Sequence, residues 1–340
     1  MSHSDGGVAE LRPLGATGLV VSRIGLGLAA LGRPGYINLG HAQDLEEEYE
    51  VAEMEARTHH VLDSAWAAGV RYFDAARSYG RAEHFLASWL AARRVAPGAA
   101  VVGSKWGYTY TAAWRVEAPA HEVKEHSAAV LLRQWGESRT LLGPHLGLYQ
   151  IHSATLGSGV LDNREVLEEL ARLRRDEGVR IGLTLSGPEQ AETLRRALEV
   201  RPQGERLFDT VQATWNLLEP SAGEALREAH DAGMGVIVKE ALANGRLTAR
   251  NHDPGFASRR ALLEREAERL GGSLDAVALR AVLAQPWCDV ALSGAATAEQ
   301  LGSNLTALRL PWDDEAAERL AALAEPPDPY WRIRGSLEWN

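Results

Sequence analysis

The amino-acid sequence predicts one closed (β/α)8 barrel, a TIM barrel, with an N-terminal β-hairpin and extra C-terminal helices. Three observations carry that expectation. Counting from Ile24, eight short β-prone runs alternate with helical patterns, and a strand–helix–strand repeat forces parallel pairing because each crossover returns the chain to the same end. The chain has 340 residues, 45% of them hydrophobic, enough for eight units of roughly 35–40 residues around one core. An open doubly wound sheet would show a Gly-x-Gly-x-x-Gly turn running straight into a helix after its first strand. Here that place holds Gly25-Leu-Gly-Leu-Ala-Ala30, soon followed by Pro34 and Gly35, which oppose a helix.

The elements follow in order. Residues 11–22 alternate around Gly15 to Gly18 and read as a hairpin. Ile24 to Gly27 is the first barrel strand, and residues 30–50 are irregular, with an acidic run at Glu46 to Glu50 that reads as a solvated face. A helix over 53–68 places Val61, Leu62, Ala65 and Trp66 on one face and stops at Gly69. Strands are then expected at 70–74, 100–104, 146–152, 180–185, 210–213, 235–238 and 289–292. Helices are expected at 82–94, 123–142, 164–177, 189–200, 222–232, 258–270, 274–284 and 298–305. A last helix over 314–323 precedes an extended tail. The domain reading is a disordered segment at 1–10, the barrel at 11–325 and a C-terminal tail at 326–340.

Composition narrows the function. The 36 Lys+Arg against 46 Asp+Glu give a formal charge of −10, which argues against nucleic acid and gives an anionic membrane little to attract. One cysteine, Cys288, forbids an internal disulfide and a cysteine-rich zinc site. His59-His60 and His121/His126 lack a credible third ligand, so no metal is expected. The N-terminal segment has no apolar signal region and no run of about 18 apolar residues occurs, so a cytoplasmic location is expected.

In such a barrel, functional side chains sit at the carboxyl ends of the strands. That rule brings Asp74, Tyr79, Lys105 and His152 to one mouth. Each alone has a structural reading: a cap, a packing aromatic, a solvated charge, a core histidine. Their convergence on consecutive strands is the informative feature. Asp74 is expected to hold Lys105 charged, and Lys105 to lower the Tyr79 pKa from about 10, each unit being about 1.4 kcal/mol. A phenol so tuned protonates a developing alkoxide, while His152 orients the carbonyl oxygen. No side chain supplies a hydride, so this chemistry needs a nicotinamide.

Asp74-Ala-Ala-Arg-Ser-Tyr79-Gly-Arg-Ala-Glu83, Gly103-Ser-Lys105 and Leu148-Tyr-Gln-Ile-His152 resemble the tetrad segments of the aldo-keto reductases. So do Leu14-Gly-Ala-Thr-Gly-Leu-Val-Val-Ser22 and Val211-Gln-Ala-Thr-Trp-Asn-Leu-Leu218, and the resemblance runs over about residues 11–325. It implies a barrel that binds NADPH or NADH across its mouth and reversibly reduces an aldehyde or ketone, with Tyr79 as proton donor. It further implies that Ser186 and Gln212 bond the nicotinamide amide, and that Gly27, Ser293, Gly294, Gln300 and Asn304 belong to the cofactor site. Trp106, Tyr108 and Trp215 are expected to wall a substrate pocket, and Tyr330, Trp331 and Trp339 to fold over the mouth.

The sequence departs from the family pattern in three places. Gly187 follows Ser186 where asparagine is usual, and Lys239-Glu240 stands where an aromatic often stacks. Lys239 either meets the pyrophosphate or pairs with Glu240. The run from Gly294 to Gln300 has no cation for a 2′-phosphate, which predicts a weak NADPH preference unless a residue such as Arg246 supplies one. The partner is expected to be a small carbonyl or sugar substrate. Two other functions fit the same barrel: a cofactor-binding regulator with little turnover, and a sugar isomerase or lyase using Tyr79 and Lys105.

Overall fold

The computed structural model describes residues 10–340; the segment expected to be disordered lies, apart from Glu10, outside the described residues. Strands β1 (Leu11–Pro13) and β2 (Val20–Ser22) pair antiparallel, Leu11 opposite Ser22, as the turn at Gly15 to Gly18 predicts. Leu14 and Val21 from this hairpin pack with Tyr72, Leu148, Ile237 and Val290 as one cluster.

The barrel is closed and wholly parallel. It runs β3 (Ile24–Gly27), β4 (Tyr72–Asp74), β5 (Val101–Trp106), β8 (Leu146–Ala154), β9 (Arg180–Leu185), β10 (Thr210–Thr214), β11 (Gly235–Lys239) and β12 (Val290–Ser293), which returns to β3 with Leu292 opposite Gly25. Between β5 and β8 the chain adds a hairpin at the mouth, β6 (Tyr108–Tyr110) with β7 (Glu122–Lys124). A closed barrel removes sheet edges and points alternate residues inward. The helices cover the outside with Leu, Ala and Val stripes; helix Arg164–Glu177, for example, buries Val166, Leu167, Leu170, Ala171 and Leu173.

Three stretches differ from the sequence expectation. The helix read over 123–142 begins at Ala128, after Ser127, whose hydroxyl accepts the Val130 amide at 3.3 Å; Glu122–Lys124 is instead the second strand of the mouth hairpin. The irregular 30–50 segment contains a one-turn helix, His41–Asp44. The tail is not extended: Pro327–Gly335 is a helix. A proline is tolerated in a first helical turn because its missing N–H has no intrahelical partner there. Among the described residues no helix is long and apolar enough to cross a membrane.

Candidate active site

Three strand ends and the turn after β4 bring four titratable side chains together at the barrel mouth. Asp74 closes β4, Lys105 lies near the end of β5, and His152 lies near the end of β8. The turn from Asp74 to Tyr79 is fixed by Ala75 N–H on Gly103 O (2.8 Å) and Arg77 N–H on Lys105 O (3.1 Å). Glycines let a second loop press against it. A Cβ on Gly32 would lie 2.3 Å from Tyr79 O, and one on Gly80, at φ +58°, would lie 2.4 Å from Gly32 O, so neither position admits a side chain.

The Lys105 ammonium is buried, contacts Asp74 Oδ2, and donates to Ala75 O at 2.9 Å and the Tyr79 hydroxyl at 3.4 Å. His152 Nε2 lies 3.4 Å from the same hydroxyl, and its Nδ1 is 3.5 Å from Ser78 Oγ. The other Asp74 oxygen accepts from Tyr72 (3.1 Å), Gln212 (3.0 Å) and Gln150 (3.4 Å). β8 is irregular beside His152: Ser153 has φ 54°, with its N–H on Thr184 Oγ1 at 2.8 Å. Positive φ at a non-glycine residue is strain of a kind found at functional sites.

Electrostatics here correct one expectation. The Tyr79 hydroxyl is pushed well above its ordinary pKa, first by burial and then by the Asp74 carboxylate. This is opposite to the lowering by Lys105 expected from the sequence. Burial dominates, the Asp74 carboxylate raises the phenol further, and Arg33 opposes both. Burial also lowers Lys105 itself, against the pull of Asp74. His152 is held well below the usual histidine range, by burial first and by Lys105 next, so its ring is neutral.

All four groups except Lys105 line a cavity of about 710 Å³, as do Gly27, Ser186, Gln212, Lys239, Ser293, Gly294, Gln300 and Asn304. Tyr108 lines it too, with its ring 4.9 Å from that of His152. Trp106 and Trp215 do not, contrary to expectation. Trp106 is wholly buried in the core, edge-on to His126, and Trp215 packs edge-on to Trp287 at 5.6 Å. Gln212 has its amide nitrogen taken up by Asp74. Lys239 donates to Thr214 Oγ1 at 2.7 Å and lies 3.6 Å from Glu240, which Arg334 also holds. Arg246 is unavailable to a ligand, being paired through both terminal nitrogens with Glu325.

Further residues shape the site. Arg33 is buried beside the phenol, 5.1 Å from the Tyr79 ring, 5.3 Å from Tyr36 and 4.6 Å from Trp339. Its Nη1 bonds Ser78 O (3.0 Å) and Glu122 (3.1 Å), tying the mouth hairpin down. Of the tail aromatics, Trp339 reaches the cavity, stacked on His121 at 3.9 Å. Tyr330 is buried, its hydroxyl 3.0 Å from the Asn216 amide. Glu83 anchors the scaffold, accepting from Ser104, Ser138 (2.6 Å) and Arg77. Glu83, as the end of the Asp74 motif, and Trp339, as one of the tail aromatics expected over the mouth, carry a signal in the sequence; Tyr330 and Trp331, expected there too, do not line the cavity.

The far part of the cavity suits a phosphorylated ligand. It reaches the amino end of helix Ala298–Leu305, where amide N–H groups favour anions. Gly294 opens on free space, with nothing within 4 Å of where a Cβ would stand. Asn244 Oδ1, buried without a partner in the cavity wall, is an acceptor that a hydroxyl or amino group of such a ligand would meet. Among the described residues no group of three or more metal-binding side chains is clustered.

A family model described as "Aldo/keto reductase family" matches residues 23–325. Pyridoxal 4-dehydrogenase of Microbacterium luteolum is 32% identical over 165 residues, covering 42% of this chain; the chain spans 43% of that relative's length. The solved aldo-keto reductase from Bacillus halodurans, in its holo form, superposes with a TM-score of 0.70 at 21% identity, covering 94% of this chain and 97% of that one. That likeness speaks to the fold.

Proposed function

The chain belongs to the aldo/keto reductase family, and on that premise we propose that it interconverts an aldehyde or ketone and its alcohol with Tyr79 as the proton-transfer group. One observation carries the reading: a single phenol touched by a buried, carboxylate-anchored ammonium on one side and a neutral imidazole on the other, inside the cavity.

A nicotinamide nucleotide supplies the hydride when bound. Ser186, Ser293, Gly294, Gln300 and Asn304 would hold it, with the carbonyl oxygen of Gln212 as a further acceptor. Asn304 is already oriented by its bond to Ser293 Oγ at 2.8 Å, and Gln300 by its bond from Ala296 N–H at 2.9 Å.

The remaining work falls to this chain's own groups. His152 stays neutral and presents an N–H to the substrate oxygen when Ser78 bonds its other nitrogen. That bond grows stronger as negative charge develops on the oxygen, which is the source of its catalytic value. Tyr79 holds its proton throughout the neutral range and releases it only as the oxygen becomes an alkoxide. Lys105 and Arg33, both close to the phenol ring, favour the tyrosinate left behind. Asp74 keeps Lys105 charged and aimed. The walls nearest Tyr79 include Tyr36, Tyr108 and Trp339, which suit a flat substrate. The partial relative named for pyridoxal points the same way, so aromatic and heteroaromatic aldehydes are the first substrate class to try. A cytoplasmic location belongs to the same proposal.

The test is loss of reduced-nicotinamide absorbance with a panel of aldehydes, aromatic members included. Turnover supports the reading. Nucleotide binding without turnover would indicate the regulatory barrel instead, and product formed without net oxidation would indicate an isomerase or lyase.

A further inference from the structure

The end of the cavity remote from Tyr79 is closed by an arrangement that neither the family match nor the relatives explain. Asp44, the last residue of the one-turn helix His41–Asp44, turns a nearly buried carboxylate into it. Arg250 holds both oxygens, Nη1 on Oδ2 at 2.7 Å and Nη2 on Oδ1. Gln300 Nε2, from the helix at the amino end of which an anion would sit, donates to the same Oδ1 at 2.7 Å. Arg250 is fixed further by Leu39 O (3.2 Å) and Gly40 O (3.0 Å). Asp44 therefore ties the β3 loop, the loop after β11 and the helix after β12 into one wall.

The charges of that wall are unbalanced. Glu46, Asp275 and Glu299 line the cavity along with Asp44, and the guanidinium bonded to Asp44, that of Arg250, is already bidentate to it. Arg246, the other arginine of the same loop, is paired with Glu325. A carboxylate offers about four lone-pair sites. Three of those on Asp44 are filled by Arg250 and Gln300, which leaves one acceptor site on Oδ2.

The reaction fixes the direction in which a nucleotide must lie. The hydride would be delivered beside Tyr79, so a bound nucleotide would place its nicotinamide at that end and its adenosine ribose past helix Ala298–Leu305, on the side of Asp44. A ribose with a free 2′-hydroxyl is a donor that a carboxylate accepts, the usual device of NAD sites, whereas a 2′-phosphate needs an uncommitted arginine. We propose that Asp44 is the specificity residue of the nucleotide site: it admits the 2′-hydroxyl of NAD(H), keeps Arg250 from serving a phosphate, and so excludes NADP(H). This rests on the functional reading above, that the cavity takes a nicotinamide nucleotide.

Isothermal titration calorimetry of the full chain with NADH and with NADPH tests it directly. NADH should bind at least about tenfold tighter. Asp44→Asn keeps the shape of the side chain, removes its charge and releases Arg250, so NADPH should gain about tenfold relative to NADH. Adding Arg250→Met to Asp44→Asn should abolish that gain. Competition of 2′,5′-ADP and 5′-ADP against NADH on the wild-type protein needs no substitution, so a variant that fails to fold does not remove the test; 2′,5′-ADP should compete more weakly. NADPH binding as tightly as NADH, or an unchanged ratio in folded Asp44→Asn, overturns the assignment while leaving the reductase reading standing. If neither nucleotide binds, both fall.

Discussion

Replacing Lys105 by methionine removes one half of a fully buried ion pair, and the structure sets the scale of the consequence. The ammonium is wholly enclosed and the Asp74 carboxylate nearly so. Breaking such a pair by deleting one partner costs about 3–5 kcal/mol, because the remaining charge is buried without compensation. Asp74 keeps three neutral donors, Tyr72, Gln212 and Gln150, which places the expected loss near the lower bound, about 3 kcal/mol. With roughly 2.1 cal/mol/K of unfolding entropy per residue, that is a fall in Tm of about 4 °C. Urea unfolding followed by tryptophan fluorescence reads it as a shifted midpoint at constant slope. The double variant Asp74→Asn/Lys105→Met, with neither charge, should recover most of the loss. A loss below about 1 kcal/mol in Lys105→Met, or a double variant as unstable as the sum of the singles, would refute the buried-pair account.

Other consequences are as direct. Tyr79 is raised and His152 lowered, so the donor form of both groups is complete from about pH 6 to 9, and the carbonyl-reduction kcat should be flat there. Alcohol oxidation needs the tyrosinate, so its rate should climb about tenfold per pH unit over the same range. A reduction rate that falls through a pKa near about 7 would identify a different acid. Cys288 is wholly enclosed and its thiol is pushed up to about 12 by burial. Iodoacetamide should therefore leave it untouched in native protein and label it only at the rate of unfolding; fast native labelling would contradict the burial.

Strand-end side chains were the most legible part of the site. Asp74, Lys105 and His152 end β-prone runs, and the barrel rule carries them to one mouth. The same alternation explains a failure. On β5, Lys105 points inward and its neighbour Trp106 must point outward, where it joins the core. Trp215 stands in the same parity relation to Gln212 and Thr214. The Tyr79 acidity is not legible from its pairing partners because burial, which only the folded chain reveals, outweighs them. Arg33 with Trp339, and Asp44 with Arg250 and Gln300, join segments far apart in the chain, and no local pattern announces them. The β6–β7 hairpin is obscured by the long connection from Tyr110 to Glu122, and the tail helix has two prolines, Pro327 and Pro329, in its first turn.

The most direct test of the central claim is the kinetics of Tyr79→Phe, which keeps the ring and removes only the hydroxyl shared by Lys105 and His152. The account predicts that kcat for carbonyl reduction falls about 10²-fold or more while the Kd for nucleotide, measured by calorimetry, is unchanged. Wild-type turnover in that variant would contradict it.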